Sequence, residues 1–406
     1  MAVTPRENTT GTSVHVRDRR RRDRRGDHAL DRSSSPIVAS VTSKSIVPLA
    51  VGVAAAAWVT RAAWGLPAQI GATAAKIAPY AANSARYRDR RFHNSEPSSS
   101  FTGGSGESLL VSFLKRRSHG KPQRPVPLAP TIAPVDAGET AVTWYGHSSV
   151  LIELDGRRIL ADPVWSNRVS PSRTLGPARL HPTPLPLRAL PKVDAIVISH
   201  DHYDHLDKAT IQRLASLQDA PFVVPIGIGA HLRHWRIPED RIVELDWDEQ
   251  TEIDGLTITC TEARHFSGRG LRRDLTQWAS WAFAGPEHRV FFGGDTGYTV
   301  KFAEIGAQYG PFDLTLLPVG AYDPRWADIH MNPEEAVRAH GDLNGGVLVP
   351  VHWATFNLAF HPWSEPIVRL KAAANKAGIT TAVPMPGQRV DVAHGVADDR
   401  WWARLG

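Results

Sequence analysis

From Ala141 onward, short apolar runs alternate with turn residues in the manner of closely spaced strands. Thr143-Trp144-Tyr145, residues 150–154 and residues 158–161 predict three successive strands, the last two turned at Asp155-Gly156. Further apolar runs predict strands at residues 193–199, 221–225, 256–260, 290–292, 314–318 and 347–351. Helical patterns intervene at residues 208–217, 302–309, 333–340 and 365–377. The third of these has a complete start signal. Asn332 stands as N-cap, Pro333 takes the first position, and Glu334 and Glu335 face the positive end of the dipole. Strands interspersed with helices give an α/β class, without a Gly-rich dinucleotide or phosphate-loop fingerprint.

Upstream the pattern dissolves. The first 36 residues are Arg-rich, with the run Arg17-Asp18-Arg19-Arg20-Arg21-Arg22-Asp23-Arg24-Arg25, and bury too little apolar area to fold. They predict a disordered tail, with attraction to anionic lipid as its functional alternative, at about 1 kcal/mol per basic residue. Residues 46–60, IVPLAVGVAAAAWVT, are uncharged. As a helix this run would span about 22 Å, short of the roughly 30 Å hydrocarbon core, and Gly65 and Pro67 interrupt its continuation. It predicts an anchor at the membrane surface or marginally inserted, with a disordered Ala-rich stretch and a true span as alternatives. Residues 94–107 read as loop, and residues 121–134 as a Pro-rich extended linker.

Composition narrows the chemistry. The 406 residues include one cysteine, Cys260, which excludes an intramolecular disulfide framework and a cysteine-cluster zinc site. Eighteen histidines point instead to a site made of His and carboxylate. The net charge of +6 is unevenly spread: residues 1–92 hold 16 Lys/Arg against 6 Asp/Glu, and the rest 31 against 35. A basic tail on a slightly acidic body argues against a nucleic-acid enzyme.

The decisive segment follows the strand predicted at 193–199. His200-Asp201-His202-Tyr203-Asp204-His205 places five ionisable residues within six positions, which is costly at the end of a buried strand unless they are paired or bind a cation. Imidazole and carboxylate suit zinc, with manganese or iron next. In a tight loop His200 and His202 can face one ion while Asp204 and His205 face another, about 3.5–4 Å away as in two-metal hydrolases. Later strand ends supply further ligands: His265, then Asp295 in Gly293-Gly294-Asp295-Thr296-Gly297, then His352.

H-x-H-x-D-H with a later His, G-D-T-G and a final His resembles the metallo-β-lactamase superfamily of binuclear hydrolases. Asp162-Pro163, Ser170-Pro171-Ser172, Leu175-Gly176-Pro177, Glu244-Leu245-Asp246-Trp247, Gly310-Pro311-Phe312-Asp313-Leu314, Gly320-Ala321-Tyr322, Pro324-Arg325-Trp326, Pro333-Glu334-Glu335-Ala336-Val337 and His352-Trp353 extend the likeness. They resemble the N-acylphosphatidylethanolamine-hydrolysing phospholipase D family over about residues 141–387, reaching back towards Arg86. A basic, Ala-rich N-terminal extension lies outside the likeness, and the chain reads as three parts: a disordered basic tail and apolar anchor segment at 1–84, a family-like extension and Pro-rich linker at 85–140, and the hydrolase domain at 141–406. For that domain the resemblance implies a metallo-β-lactamase-like αββα sandwich. It implies two zinc ions, one held by His200, His202 and His265 and the other by Asp204, His205 and His352, with Asp295 bridging through one oxygen per ion. Asp162 would orient a ligand or the attacking water, His330 would lie near the reacting phosphate, and His147 would support the ligands from outside.

The implied reaction is attack of a metal-shared hydroxide on N-acylphosphatidylethanolamine, releasing phosphatidic acid and N-acylethanolamine. Its setting would be cytoplasmic and peripheral on a membrane, with a homodimer, as among relatives, an open alternative. The apolar N-terminal segment and aromatics such as Trp326, Trp353, Phe356, Phe360 and Trp363 are candidates for docking the lipid, with core packing the stronger reading for any one of these Trp and Phe. Three positions depart from the family: Ile329 where vertebrate members carry Gln, Lys208 where they carry Tyr, and Asp201 in place of Asn. A lactonase, or a phosphodiesterase for small or non-N-acylated substrates, is the enzyme alternative, since metals polarise a carbonyl or a phosphoryl oxygen equally. A nuclease and a membrane-tethered zinc-binding protein rank below both.

Overall fold

The computed structural model describes residues 43–99, 119–130, 136–172, 174–394 and 400–406, so the predicted disordered tail at 1–36 lies outside the described residues. The chain divides into two compact units, Met1–Ala54 and Ala55–Gly406. Helix α1 (Ser43–Ala63) is followed by α2 (Leu66–Ile70), α3 (Ala74–Ala81) and a short hairpin of β1 (Tyr87–Arg88) and β2 (Arg91–Phe92).

Two seven-stranded sheets make the centre of the second unit. The first contains β3 (Thr140–Gly146), β4 (Ser149–Leu154), β5 (Arg157–Ala161), β6 (Ala195–Val197), β7 (Phe222–Pro225) and β8 (Ile242–Leu245), and β16 (Arg389–Asp391) pairs on the free edge of β3. The second contains β9 (Gln250–Ile253), β10 (Leu256–Thr261), β11 (Ser280–Ala284), β12 (Arg289–Phe292), β13 (Phe312–Pro318), β14 (Gly345–Val351) and β15 (Thr380–Thr381), adjacent in that order.

Side-chain alternation explains the layering. Val150, Ile152, Ile159, Ala161, Ala195, Val197 and Val223 point into one core together with Trp281, Phe291, Leu316 and Val349 of the second sheet. Their neighbours Leu151, Leu160, Ile196, Phe222 and Val224 point the other way. There they meet Ile211 and Leu214 of α4 (Lys208–Leu217) and Leu232 of α5 (Ile228–His234). Helices α7 (Pro333–Asp342) and α8 (Glu365–Ala377) cover the outer face of the second sheet, after α6 (Lys301–Tyr309). Strands buried on both faces read as continuous apolar runs, and the result is the expected αββα sandwich. The start of α7 matches its signal and goes further. Asn332 Oδ1 accepts from Glu335 N at 2.9 Å and Glu335 Oε2 accepts from Asn332 N at 3.0 Å, a closed capping box.

Several expectations shift. β11, Ser-Trp-Ala-Phe-Ala, lacks β-branched residues and carried no strand signal, yet lies in the middle of the second sheet. The predicted boundary at 84/85 is no break in packing, because Ile77 and Ala81 are buried and Ile77 packs with Ala230 of α5. Among the described residues, no helix is long and apolar enough to cross a membrane, which leaves the spanning alternative for residues 46–60 without support. Of the candidate docking aromatics, Trp353, Phe356 and Trp363 take the core alternative and are buried in the fold. Trp353 stacks between Trp144 and Trp401.

Candidate metal centre

Strand direction gathers the candidate ligands at one end of the sandwich. β3 and β5 both pair antiparallel with β4 and so run the same way, and β6 runs parallel to β5. In the second sheet β10 and β12 flank β11 antiparallel, with β13 and β14 continuing parallel to β12. His147 therefore follows β3, Asp162 follows β5, and the loop carrying His200, His202, Asp204 and His205 follows β6. His265 follows β10, Asp295 β12 and His352 β14. Asp162, His147 and His352 hold left-handed backbone, at φ 41°, 54° and 63°. Such a conformation costs on the order of 1–3 kcal/mol per residue and persists only where surrounding contacts impose it.

The side chains form two adjoining groups. In the first, His202 Nδ1 lies 2.8 Å from His200 Nε2 and 3.3 Å from His265 Nε2. Tetrahedral zinc with Zn–N bonds near 2.0–2.1 Å separates its ligand nitrogens by about 3.3 Å. In the second, Asp204 Oδ2 lies 3.6 Å from His205 Nε2 and 3.5 Å from His352 Nε2. Asp295 joins the groups. Its Oδ2 is 3.2 Å from His205 Nε2 and 3.1 Å from His352 Nε2, and 3.9 Å from both His200 Nε2 and His265 Nε2. A single carboxylate oxygen thus faces both groups, where one oxygen per ion was expected.

Hydrogen bonds behind the rings set their tautomers. Ile329 O accepts from His265 Nδ1 at 2.9 Å, which leaves His265 Nε2 with its lone pair. Asp162 Oδ2 lies 2.7 Å from His205 Nδ1 and accepts from Ser199 Oγ at 2.6 Å. Ser199 Oγ in turn lies 2.9 Å from His200 Nδ1. Of the two roles expected for Asp162, the geometry favours ligand orientation: it is fully buried behind His205. His147 sits closer than expected, with Nε2 2.8 Å from Asp204 Oδ2. His330 reaches the edge of the cluster, its ring 5.1 Å from that of His265 and 5.4 Å from that of His352.

The donors fit divalent metal. Ligating nitrogens and oxygens in each group lie within 4.8 Å of one another. Asp295 Oδ1 is buried without a hydrogen-bond partner, and His205 Nε2 and His352 Nε2 meet only the crowded carboxylates of Asp204 and Asp295 without a well-formed hydrogen bond, a costly state that bound cations would relieve. Burial, followed by the neighbouring imidazoles, holds His200 well below the usual histidine range, and burial does the same to His265. Both are neutral, as ligation requires. For His205 burial opposes protonation, but Asp295, Asp204 and Asp162 raise it well above that range. His352 is raised against the same penalty to about 9 by Asp295 and Asp204. Burial resists ionisation of Asp204 and Asp295, yet His205 beside them holds both well below the carboxylate range. Without metal, the second group is an ion-pair cluster in which protons stand in for an ion.

Two cavities flank the cluster. One, of about 780 Å³, is lined by Tyr203, Arg168, Arg179 and His181, and the other, of about 370 Å³, by His265, Phe266, Ile329 and Asn94. Of the three departures from the family, Lys208 lies off the site and bonds Gln212 Oε1. Ile329 serves His265 through its carbonyl, and Asp201, inside the metal loop, is buried with its Oδ1 on Gly268 N. Sequence reasoning missed Ser199 and Asn94, a Ser at a strand end and an Asn in a Ser-rich loop, which carry no chemical signature of their own.

Comparison with known proteins agrees with this geometry. The family described as beta-lactamase superfamily domain matches residues 157–353. An uncharacterized protein of Mycobacterium tuberculosis is 57% identical over 355 residues, covering 86% of this chain and 95% of the relative. An N-acyl-phosphatidylethanolamine-hydrolyzing phospholipase D of Caenorhabditis elegans is 40% identical over 226 residues, 53% of this chain and 64% of that protein. A metal-dependent hydrolase of Pyrobaculum neutrophilum is 30% identical over 219 residues, 53% of this chain and 85% of its own length. Since the matched family spans every candidate ligand from His200 to His352, and a metal-dependent hydrolase matches over 85% of its own length, the chain belongs to the metallo-β-lactamase superfamily, as a metal-dependent hydrolase.

Proposed function

We propose that this chain hydrolyses N-acylphosphatidylethanolamine to phosphatidic acid and N-acylethanolamine, as a phospholipase of the D type. The observation that carries the reading is the 40% identity, over 226 residues, to the nematode enzyme named for that reaction. We assign His200, His202 and His265 to one divalent ion, Asp204, His205 and His352 to a second, and Asp295 to both, with zinc as the metal. Bound there, such ions supply Lewis acidity towards a phosphoryl oxygen and activate water near neutral pH. The protein's own groups do the rest. Asp162, Ser199 and Ile329 O hold the imidazoles in ligating tautomers. Burial holds His330 down to about 4, so it stays neutral and offers one N–H to a phosphoryl oxygen. Water adds across the P–O bond to the ethanolamine oxygen, and its proton leaves with that alcohol.

A lipid substrate also needs a membrane surface, and the partner we assign is one bearing anionic headgroups. Trp58, Val59, Trp64 and Ile70 are exposed, as is Leu271, which stands wholly in solvent beside the exposed Arg272 and Arg273. Ile70 and Leu271 line one small apolar cavity. Apolar tips ringed by basic residues suit a peripheral contact.

The test is hydrolysis of N-acylphosphatidylethanolamine beside phosphatidylcholine and an acyl lactone by zinc-loaded protein, with products separated by mass. N-acylethanolamine release that chelator abolishes is the expected result. Lactone opening without phospholipid cleavage would overturn the substrate assignment and leave the metal centre standing.

A further inference from the structure

Residues that precede the matched domain reach the metal ligands from behind, at two places. Asn94, in the loop after β2, brackets the main chain of His265. Its Nδ2 donates to His265 O at 2.8 Å, and its Oδ1 accepts from His265 N at 3.1 Å and from Trp278 Nε1 at 3.0 Å. The second contact runs through Arg269. Its Nη1 donates to Asp201 O at 2.7 Å and Leu206 O at 2.8 Å, the carbonyls that bracket the loop carrying His202, Asp204 and His205. Its Nε and Nη2 donate to Gln69 O, at the end of α2, at 3.1 and 2.8 Å. The guanidinium is buried, 4.1 Å above the Tyr203 ring and 5.1 Å from that of Trp235.

Asp201 completes the connection. Its Oδ1 accepts from Gly268 N at 2.7 Å and its Oδ2 faces His231 Nε2 at 3.4 Å, while Ala72 N donates to His231 Nδ1 at 2.9 Å. The segment does bury apolar side chains, Ile77, Ala81 and Phe92 among them, but apolar packing alone would not need polar contacts to the metal site. Here the groups held are the main-chain atoms of a ligand and of the loop that presents three more. Metal coordination tolerates displacements of only about 0.2 Å, so slack in these groups is felt at the ion.

We propose that residues 66–99 are a working part of the metal centre, with Asn94 and Arg269 as positioning residues that hold His265 and the loop from His200 to Leu206 in ligating geometry. The inference rests on the ligand assignment above and is independent of the substrate.

The test uses the full chain and zinc ions alone, by competition with a chromophoric chelator, with melting temperatures taken metal-free and zinc-loaded. Asn94→Ala is expected to weaken one of two zinc equivalents by about 10–100-fold. Arg269→Lys keeps the charge but not the planar fork, and is expected to change affinity in the same direction. In both, the zinc-induced rise in melting temperature shrinks by more than the metal-free melting temperature falls. Ser95→Ala, which removes a bond to Glu262 in the same loop as Asn94, is expected to bind zinc as the wild type does. Lower metal-free melting temperatures with zinc isotherms that superimpose on wild type would reduce Asn94 and Arg269 to packing and overturn the proposal. If Asn94→Ala fails to fold, the Arg269→Lys isotherm decides. A wild-type chain that takes up no zinc would sink the ligand assignment and this inference with it.

Discussion

Asp162 Oδ2 stands 2.7 Å from His205 Nδ1, joining the residue just after β5 to the last histidine of the metal loop after β6. The contact exists because β5 and β6 pair in parallel with Ala161 opposite Val197, which sets Asp162 beside Ser199. Ser199 N and Oγ both donate to the same carboxylate, at 2.7 and 2.6 Å.

Replacing Asp162 by Asn keeps the shape and reverses one polarity. An amide NH₂ facing His205 Nδ1 moves the ring proton to Nε2, the atom that must ligate. We expect Asp162→Asn to fold and to lose about 10–100-fold in affinity for one metal ion, read by chelator competition. Unchanged affinity would mean that His205 is oriented by something else.

Gly294 tests the same support from the second sheet. It holds φ 58°, and a Cβ there would stand 2.5 Å from Ser199 Cβ and 3.0 Å from Ala279 O. Gly294→Ala must therefore push on the serine that serves both Asp162 and His200. Left-handed strain and overpacking together are expected to cost about 3 kcal/mol, measured as a lower denaturation midpoint, with weaker metal binding beside it. A midpoint within experimental error of wild type would show that the backbone relaxes freely there.

These supports mark what was legible in the sequence. The ligands stood out because imidazoles and carboxylates crowd strand ends, where burial makes them expensive without a cation. Asp162 was visible only through its family likeness, and its partner was not, since adjacency of β5 and β6 is a property of sheet order. Asn94 reads only as loop in the sequence, because its role depends entirely on a contact 171 residues away. Trp353, Phe356 and Trp363 look the same in sequence whether they dock lipid or fill a core, and the fold buries them. β11 was hidden by its alanines, which pack well between two sheets without favouring a strand on their own.

A pH-dependent clamp joins the two sheets far from the metal. Asp155, at the turn between β4 and β5, accepts from Glu287 N at 2.9 Å and His288 N at 3.1 Å, and lies 2.6 Å from His288 Nδ1. The bond to Asp155 raises His288 above the usual histidine value, and although burial opposes it, His288 and the two amides lower Asp155. The histidine's share of stability is complete below about pH 6.5 and fades as pH rises through its elevated folded value. The carboxylate's share is complete above about pH 4 and fades as pH falls through its depressed one. His288→Ala is expected to lower the melting temperature by about 2 °C between pH 4.5 and 6, with the gap closing above pH 8. A gap that widened with pH would contradict the assignment.

Metal uptake by the second group must displace protons. His352 is raised to about 9 and His205 well above its usual range, both by Asp295 and Asp204 against the penalty of burial. Below about pH 9 the metal-free site therefore carries protons where an ion needs lone pairs. Each proton displaced steepens the dependence by about tenfold in affinity per pH unit, so one to two protons give ten- to a hundredfold between pH 7 and 8. Asp295→Asn removes the carboxylate that sustains both protonations. That variant is expected to bind metal at least tenfold more weakly at pH 8, to lose metal-dependent hydrolysis, and to show a shallower pH dependence. Calorimetric zinc titration in two buffers of different ionisation enthalpy counts the protons directly. Zinc binding to the wild type without proton release at pH 7 would show that His205 and His352 are already neutral, and that the ion-pair cluster does not form in the metal-free protein.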